Sequence, residues 1–468
     1  MTAPSPQALQ AVKSALGDGG WTEDSADIAP SLTEWRGRWS GATPLMLMPR
    51  STDEVARAVR VCAEHRIPIV TQGGGTGLVG GQIPFGEVLL STRRLRAIRA
   101  VSPLDDSLTV EAGVTLAEAQ QAAAAVDRRF PLGLASEGTA TIGGVVSTNA
   151  GGTQVVRYGM TRDLVLGLEA VLPNGEVFHG LKTLRKDNTG YDLKQLLIGA
   201  EGTLGVVTAA TLKLFPVMRS RATAFVALPE PAAAIALLAR AKADTGGGVE
   251  AFELIKRIGL DLVLKHIPDT RDPLGAVHPW YALVELASGE AGAAGRALER
   301  LLADAFEAGL ILDAVVAGSD AQRAALWKLR EEQSAGQKPE GPGWKYDVSV
   351  PVSRIADFLA EATAAVERFH PGVRVSAFGH VGDGNLHYDV MRPAGADPAA
   401  FMARHPEGSR LVHDIVAAYD GSISAEHGLG RLKTDEARRY KSSAEVAAMQ
   451  AVRAALDPHR IMNPAVLF

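Results

Sequence analysis

The sequence has a single cysteine, Cys62, and it lacks the features that direct a chain into or across a membrane. Cys62 lies on the apolar side of a helical pattern, so we predict a buried, unreactive side chain, and the absence of a disulfide framework fits a reducing compartment. No apolar run approaches the roughly 20 residues that a transmembrane helix needs. Residues 1–10 lack the basic segment and apolar core of a signal peptide. We therefore expect a cytoplasmic protein.

The chain also lacks an excess of positive charge. Its formal net charge is -5, which gives no reason to expect nucleic acid as a partner. At 468 residues it is too long for one core, so two or three domains are expected. After Pro216, alanine-rich helical segments alternate with short strands. This order predicts an α+β sheet with helices on one face.

What the chain does have is glycine, concentrated first between Pro68 and Gln82. A β-branched run, Ile67–Thr71, leads into glycines 73, 74, 75, 77, 80 and 81. Such a loop brings backbone N–H groups close to an anion, and we interpret it as a cradle for the diphosphate of a large cofactor. It lacks the Gly-Lys-Ser/Thr ending of an ATP-binding loop and opens no good helix, which argues against a nicotinamide site. The alternative is a flexible surface loop.

Two further glycine-rich passages follow, at residues 135–152 and 198–205. The first mixes small hydroxyl residues with glycine, which suits a chain that lies along a long ligand and bonds to it repeatedly. A plain loop of that length would be unusual inside a compact domain.

A second group of residues carries metal-type chemistry. His380 and His387 flank a Gly-Asp-Gly-Asn segment, and a sharp turn there would bring the two histidines together. Further on, Glu426 precedes His427. Imidazole and carboxylate are the ligands of a zinc-type site. The spacing alone also fits histidines that are merely exposed or hydrogen-bonded.

The motifs occur in an order that resembles a known family. Gln-Gly-Gly-Gly-Thr-Gly, Ser-Glu-Gly-Thr-Ala-Thr-Ile-Gly-Gly, Asn-Ala-Gly-Gly, Gly-Ala-Glu-Gly-Thr-Leu-Gly and Met-Asn-Pro follow one another along the chain. This series resembles the FAD-linked oxidases of the vanillyl-alcohol oxidase superfamily. Within it, the chain is similar to the D-2-hydroxyacid dehydrogenases, which act on D-2-hydroxyglutarate, D-lactate or glycolate.

The resemblance implies an α+β fold with a two-subdomain FAD-binding domain, an α+β cap and a C-terminal segment that returns to the flavin. The implied parts are an N-terminal segment (1–41), the FAD-binding domain (42–218), the substrate or cap domain (219–425) and the C-terminal segment (426–468).

The resemblance also implies the residues that bind FAD. They are Gln72, Gly73, Gly74, Gly75, Thr76, Gly77, Gln82, Glu137, Gly138, Thr141, Gly144, Ser147, Asn149, Gly152, Glu201, Gly202 and Asn463. Thr76 stands where some relatives carry the histidine that attaches the flavin, so non-covalent FAD is expected.

By the same resemblance, His380, His387 and Glu426 match the ligands of a divalent metal, with zinc expected, and His427 matches the catalytic base. The matching substrate-binding residues are Arg330, Ser334, Lys345 and Asn385. Without the resemblance, Arg330 would be an ordinary helix-surface partner of a nearby glutamate. Asp389 stands where some hydroxyglutarate-active relatives have asparagine, which leaves open whether a second carboxylate is accepted.

The implied reaction is oxidation of a D-2-hydroxy acid to the 2-oxo acid, with hydride transfer to flavin N5. The electrons would pass to an acceptor other than NAD, such as a quinone or an electron-transfer flavoprotein. D-lactate dehydrogenase and a glycolate oxidase subunit remain alternatives of the same chemistry, and a homodimer remains open. A zinc hydrolase that holds a nucleotide and a catalytically silent flavoprotein are alternatives of other classes.

Overall fold

The computed structural model describes residues 4–467, and this part of the chain divides into two compact units. The first unit contains the residues up to 151, residues 159–217 and the residues from 426 onward. The second contains residues 152–158 and 218–425. Neither unit is therefore a single continuous stretch of chain.

The secondary structure is mixed. The strands, in chain order, are β1 (Trp21–Thr22), β2 (Met46–Leu47), β3 (Ile69–Gln72), β4 (Val88–Ser91), β5 (Ile98–Ser102), β6 (Ser107–Glu111), β7 (Arg128–Arg129), β8 (Val165–Val171), β9 (Val177–Gly180), β10 (Val206–Lys213), β11 (Phe215–Pro216), β12 (Ser220–Leu228), β13 (Val249–Lys256), β14 (Trp280–Ser288), β15 (Asp313–Val316), β16 (Gly343–Ser349), β17 (Arg374–His380) and β18 (Asn385–Met391). The helices are α1 (Pro6–Leu16), α2 (Ser25–Ile28), α3 (Thr52–Glu64), α4 (Leu116–Ala124), α5 (Ile142–Thr148), α6 (Val155–Tyr158), α7 (Thr161–Leu164), α8 (Lys194–Leu197), α9 (Pro231–Thr245), α10 (Arg257–His266), α11 (Ala293–Glu307), α12 (Asp320–Glu331), α13 (Gln333–Gln337), α14 (Ile355–Phe369), α15 (Pro398–Ala403), α16 (His405–Ala418), α17 (Thr434–Tyr440) and α18 (Ser443–Leu456).

The first unit is built on two main sheets. One has the order β1-β2-β4-β3, in which β2, β4 and β3 run parallel. The other is antiparallel, with the order β5-β6-β10-β8-β9. Helix α3 begins where the Ser51 hydroxyl accepts a hydrogen bond from the Glu54 N–H. Its apolar face buries Cys62, as predicted, and burial raises the pKa of this thiol to about 12.

The second unit is built on one antiparallel sheet with the order β15-β12-β14-β13-β17-β18-β16. One face carries Phe225 and Leu283, which belong to a buried cluster with Leu260 of α10 and Trp327 of α12. Adjacent residues on the same strands, such as Val226, point to the opposite face and are also fully buried. Helices α9 and α11 contact the strands as well. Helices therefore cover both faces, and the prediction of helices on one face is wrong.

One predicted helix proves to be two. The alanine-rich segment from Ala399 to Tyr419 reads as a single helix, but the structure breaks it at Arg404 into α15 and α16. Pro406 lies in the first turn of α16. Proline is tolerated there because its missing N–H has no helical partner at that position. None of the helices in residues 4–467 is both long enough and apolar enough to cross a membrane.

Candidate active site

The first glycine-rich loop leaves the carboxyl end of β3. A Cβ atom on Gly73 would lie 2.2 Å from Thr141 Oγ1, and one on Gly74 would lie 2.0 Å from the carbonyl oxygen of Thr139. Gly75 has a positive φ of 76°. The first two glycines are therefore required because this loop packs directly on the second glycine-rich passage, and the third is required by its backbone conformation.

Two glutamines close the same loop. The Gln72 side-chain amide donates to the carbonyl oxygens of Ser31 and Gln82, at 2.9 and 3.1 Å. The Gln82 amide donates to the Gly77 carbonyl oxygen at 2.7 Å. Both residues were predicted to contact the cofactor, and the structure gives their amide nitrogens this loop-shaping role. Thr76 lies between them and is partly buried.

The second glycine-rich passage is not extended throughout, because residues 142–148 form α5. Thr141 precedes the helix, and Asn149 ends it with a left-handed φ of 48°. The Asn149 Oδ1 atom accepts a hydrogen bond from the Arg162 N–H at 2.9 Å. Of the other predicted cofactor residues, Gly144 and Ser147 lie in α5, Glu137 and Gly138 are exposed, and Gly152 belongs to the second unit.

Glu201 supports the loop that follows His427. Its two carboxylate oxygens accept hydrogen bonds from the backbone N–H groups of Leu429 and Gly430, each at 2.8 Å. Burial raises the pKa of Glu201, and this effect outweighs the two hydrogen bonds, which lower the pKa. Its own N–H donates to the Ser147 carbonyl oxygen at 2.8 Å. Glu201 therefore joins α5 to the segment that carries the predicted base.

The C-terminal tail reaches the same place. The Asn463 Nδ2 atom donates to the carbonyl oxygens of Gly81 and Glu201, at 2.9 Å each. Gly202, the next residue after Glu201, has a positive φ of 73°. Arg453 in turn holds the tail by donating to the carbonyl oxygens of Met462 and Val466.

Buried polar atoms of the first unit fit a large polar cofactor. Thr71 Oγ1, Thr141 Oγ1 and Asn463 Oδ1 are buried and make no hydrogen bond within the described chain. Such atoms are rare in folded proteins unless a ligand or water completes them. All three stand on the glycine-rich segments or on the tail that meets them, so polar atoms for a ligand such as FAD to complete are present there.

The second unit carries a histidine pair. His380 ends β17 and His387 lies on the adjacent strand β18, and the two strands are joined by the predicted sharp turn. Their ring centroids are 5.6 Å apart, and one ring nitrogen of each lies within 4.8 Å of the other. The prediction that the turn brings these histidines together is confirmed.

A buried carboxylate lies next to the pair. Glu253 is directly opposite His380 in the sheet, and its Oε1 is 2.7 Å from His380 Nδ1. Its Oε2 accepts a hydrogen bond from Arg330 Nε at 2.6 Å. Burial opposes ionisation, yet Arg330 and His380 lower the pKa of Glu253 to about 2. Arg330 is thus buried, and its glutamate partner lies 77 residues away in the sequence rather than on the same helix surface.

His387 has an acidic neighbour too. Asp347 lies opposite it in β16, with 4.0 Å between Asp347 Oδ1 and His387 Nδ1. The same Oδ1 atom accepts a hydrogen bond from Asn385 Nδ2 at 2.9 Å. The Asn385 Oδ1 atom is buried and makes no hydrogen bond within residues 4–467.

This donor set fits a divalent metal. A histidine ligand of a metal normally donates its second ring N–H to a carboxylate, which fixes the tautomer. Glu253 stands in that relation to His380, and Asp347 lies near the corresponding nitrogen of His387. Glu426, the third predicted ligand, adjoins His427 in the first unit.

The remaining predicted substrate residues differ in exposure. Lys345 lies opposite Asp389, and their charged groups are 2.8 Å apart. Lys345 also donates to the side chain of Gln337. Ser334 is exposed on α13. The positive charge of Lys345 is therefore paired with Asp389 within the protein, whereas Ser334 faces solvent.

Sequence reasoning missed Glu253 and Asp347. Both stand in largely apolar segments, Ala251–Ile255 and Tyr346–Val350, and a lone carboxylate in such a segment is the signal that would have drawn attention to them. The strand β13 itself was not predicted, so Glu253 had no assigned environment.

Comparison with known proteins gives two family matches. Residues 43–180 match the FAD binding domain, and residues 217–467 match the C-terminal domain of the FAD linked oxidases. The chain is 37% identical over 456 residues to the mitochondrial D-2-hydroxyglutarate dehydrogenase of Arabidopsis thaliana. This alignment covers 97% of this chain and 80% of that protein. It is 36% identical over 446 residues to the D-2-hydroxyglutarate dehydrogenase of Xanthomonas citri pv. viticola, and this alignment covers 95% of this chain and 93% of that protein.

Among solved structures, p-cresol methylhydroxylase with substrate bound has the same fold. The TM-score is 0.75 at 16% sequence identity, and the match covers 98% of this chain and 96% of that one. At this identity the likeness concerns the fold alone.

Proposed function

Because this chain belongs to the FAD-linked oxidases, we propose that it oxidises a D-2-hydroxy acid to the 2-oxo acid, with D-2-hydroxyglutarate as the first candidate. The observation that carries this proposal is the array of the buried Glu253, Arg330 and His380 with the partly buried His387, because it combines an anion-binding cation with a metal-type histidine pair. Relatives that are named D-2-hydroxyglutarate dehydrogenase support the substrate class.

The family, the FAD-binding fold and the dependence on FAD, all predicted from the sequence, are confirmed by the family matches. The chain is an FAD-dependent oxidoreductase. The individual flavin contacts, their non-covalent nature and the electron acceptor, a quinone or an electron-transfer flavoprotein, stay predictions.

The protein's own residues would divide the work as follows. Arg330 has two terminal amino groups besides the Nε that Glu253 holds, and these suit the substrate carboxylate. His427 would accept the hydroxyl proton, since the ordinary pKa of histidine lies near neutral pH. His380 and His387, with Glu426 as the family resemblance implies, would hold the metal. Once bound, the metal would supply a Lewis acid for the substrate hydroxyl, and FAD would supply the hydride acceptor.

Lys345 bears on the choice of substrate. A second carboxylate, such as that of hydroxyglutarate, would have to compete with Asp389 for this ammonium group. A substrate with one carboxylate, such as D-lactate, would face no such competition. The ratio of the activity on D-2-hydroxyglutarate to the activity on D-lactate therefore measures how strongly the Lys345–Asp389 pair disfavours a second carboxylate.

The test is anaerobic mixing of the FAD-loaded enzyme with D- and L-2-hydroxyglutarate, D- and L-lactate and glycolate. We expect a D-acid to bleach the flavin absorbance, and the L-acids to leave it unchanged. A matched sample treated with a chelator should bleach at least tenfold more slowly and recover with zinc or manganese. Flavin that stays oxidised with every acid would contradict the proposal and favour the hydrolase alternative.

A further inference from the structure

Glu253 lies at the centre of the second unit's sheet and is completely buried. A buried carboxylate is stable only when charged or hydrogen-bonding partners compensate for the water that it has lost. Each of its two oxygens has one such partner: Arg330 Nε at 2.6 Å and His380 Nδ1 at 2.7 Å. One side chain thus joins two residues that sequence analysis had selected separately.

The contact with His380 follows from the sheet register. Glu253 and His380 are directly opposite each other on β13 and β17. Arginine keeps a carboxylate beside it in the negative form, and a carboxylate of that form can only accept a hydrogen bond. His380 must therefore donate from Nδ1, and in the neutral imidazole this tautomer leaves the lone pair on Nε2.

The contact with Arg330 orients a second group. Glu253 accepts a hydrogen bond from Nε, and the guanidinium carbon lies 5.0 Å from the centre of the Phe378 ring. These two contacts hold the guanidinium from one edge and one face. Because guanidinium is planar, they also set the direction of its two terminal amino groups.

We propose that Glu253 is the positioning residue of this site: it holds the His380 imidazole with Nε2 ready for a divalent metal and fixes the Arg330 guanidinium for the substrate carboxylate. The inference rests on the proposed function. It adds that the affinity for the metal and the affinity for the substrate both depend on Glu253, although Glu253 need not contact the metal or the substrate.

The chain contains a matched control. Glu285 lies on β14, the strand beside β13, and is 1% exposed. It accepts two hydrogen bonds from Arg323, which stands two helical turns before Arg330 on the same helix, α12. It also accepts hydrogen bonds from Thr223 and Trp327, and Arg221 Nε lies 3.3 Å from its Oε1. Glu285 is therefore a buried arginine-paired carboxylate that has no histidine among these partners.

The experiment compares Glu253→Gln with Glu285→Gln in the full-length, FAD-loaded protein. Each protein is stripped of metal with a chelator and titrated with zinc against a fluorescent competitor. We expect Glu253→Gln to bind zinc 10- to 100-fold more weakly, the usual effect of removing a residue that orients a metal-binding histidine. Glu285→Gln should bind within about twofold of the parent protein, because its loss affects the fold and not the histidine.

A kinetic readout separates positioning from general damage. For Glu253→Gln we expect a higher KM for the hydroxy acid, partial recovery of kcat with excess zinc, and an unchanged flavin content. If Glu253→Gln does not fold, Glu253→Asp serves instead, because it keeps the charge and shortens the reach to His380. If the variant that folds binds zinc as tightly as the parent protein, the inference about Glu253 is overturned and the proposed function is unaffected. A parent protein that binds no zinc would overturn the metal role in the proposed function as well.

Discussion

The two units supply different kinds of groups. In the first, the predicted cofactor segments contribute mainly backbone: glycine loops pack against each other so closely that side chains are excluded at Gly73 and Gly74. In the second, the candidate site consists of ionisable side chains on neighbouring strands, such as Glu253 and His380. Loops that bring backbone N–H groups together suit a long polar cofactor, whereas a reaction centre needs side chains in one fixed orientation.

Two adjacent residues of the first unit, Glu426 and His427, depart from this division because each has a predicted chemical role. His427 is a predicted catalytic side chain, yet it lies in a loop of the first unit whose backbone Glu201 holds at Leu429 and Gly430. If His427 is the base, the first unit takes part in the chemistry and does more than bind flavin.

Replacement of His427 by Ala gives the largest expected effect. Loss of a general base should slow flavin reduction by about 10²- to 10⁴-fold while FAD stays bound. Stopped-flow absorbance measures both quantities. The exposed His459 serves as control, and His459→Ala should reduce the flavin at the normal rate. Rapid reduction in His427→Ala would refute the assignment of His427 as the base.

Substitution of Gly74 by Ala tests the backbone character of the first unit. The added methyl group would collide with the Thr139 carbonyl oxygen, so the two glycine-rich segments must separate at a cost of about 1–3 kcal/mol. We expect the purified protein to contain much less FAD, as read from its absorbance. Gly295→Ala is the control, because a methyl group there meets nothing within 4 Å and lies inside α11. A full flavin content in Gly74→Ala would show that the loop tolerates side chains.

The smallest expected effect concerns an ion cluster of the second unit that is not part of the candidate site. Hydrogen bonds from Lys265 and His266 and one from Arg374 lower the pKa of Glu340 to about 2. Since the folded pKa lies below that of the unfolded chain, the contribution to stability is complete above about pH 4.5 and is lost as the pH falls toward 2.

Glu340→Gln should therefore lower the free energy of unfolding by at most about 1 kcal/mol at neutral pH. The difference in unfolding free energy from the parent protein should narrow as the pH falls from 4.5 toward 2, because the parent carboxylate takes up a proton first in the unfolded chain and near pH 2 in the folded protein. Urea unfolding at several pH values measures this. Glu290→Gln, which alters an exposed pair with Arg296, should have no measurable effect. If the difference in unfolding free energy between Glu340→Gln and the parent protein widens in acid, the predicted direction of the pH dependence is wrong.

Local signals carried most of the sequence-based prediction. Glycine runs after a β-branched segment indicated the loop after β3, and a Gly-Asp-Gly-Asn turn indicated that His380 and His387 adjoin. Both inferences need only neighbouring residues. The family resemblance then supplied the cofactor, because several motifs in order are far more specific than any one of them.

Long-range partners could not be predicted in the same way. Glu253 meets Arg330 and His380 only because β13 pairs with β17 and because α12 packs on that face of the sheet. No local pattern encodes this register. For the same reason Glu201 could be placed in a cofactor motif, while its bonds to Leu429 and Gly430 could not be foreseen.

The divided course of the chain has a consequence for its synthesis. Ile69 of β3 bridges to Met462, and Ile461 and Met462 belong to the first unit's apolar core. A ribosome delivers β3 before residues 218–425 of the second unit and delivers Met462 after them. The core of the first unit is therefore incomplete while the second unit is being made. A premature stop before Ile461 removes core residues, so it acts as a folding defect of the first unit rather than as the loss of a tail.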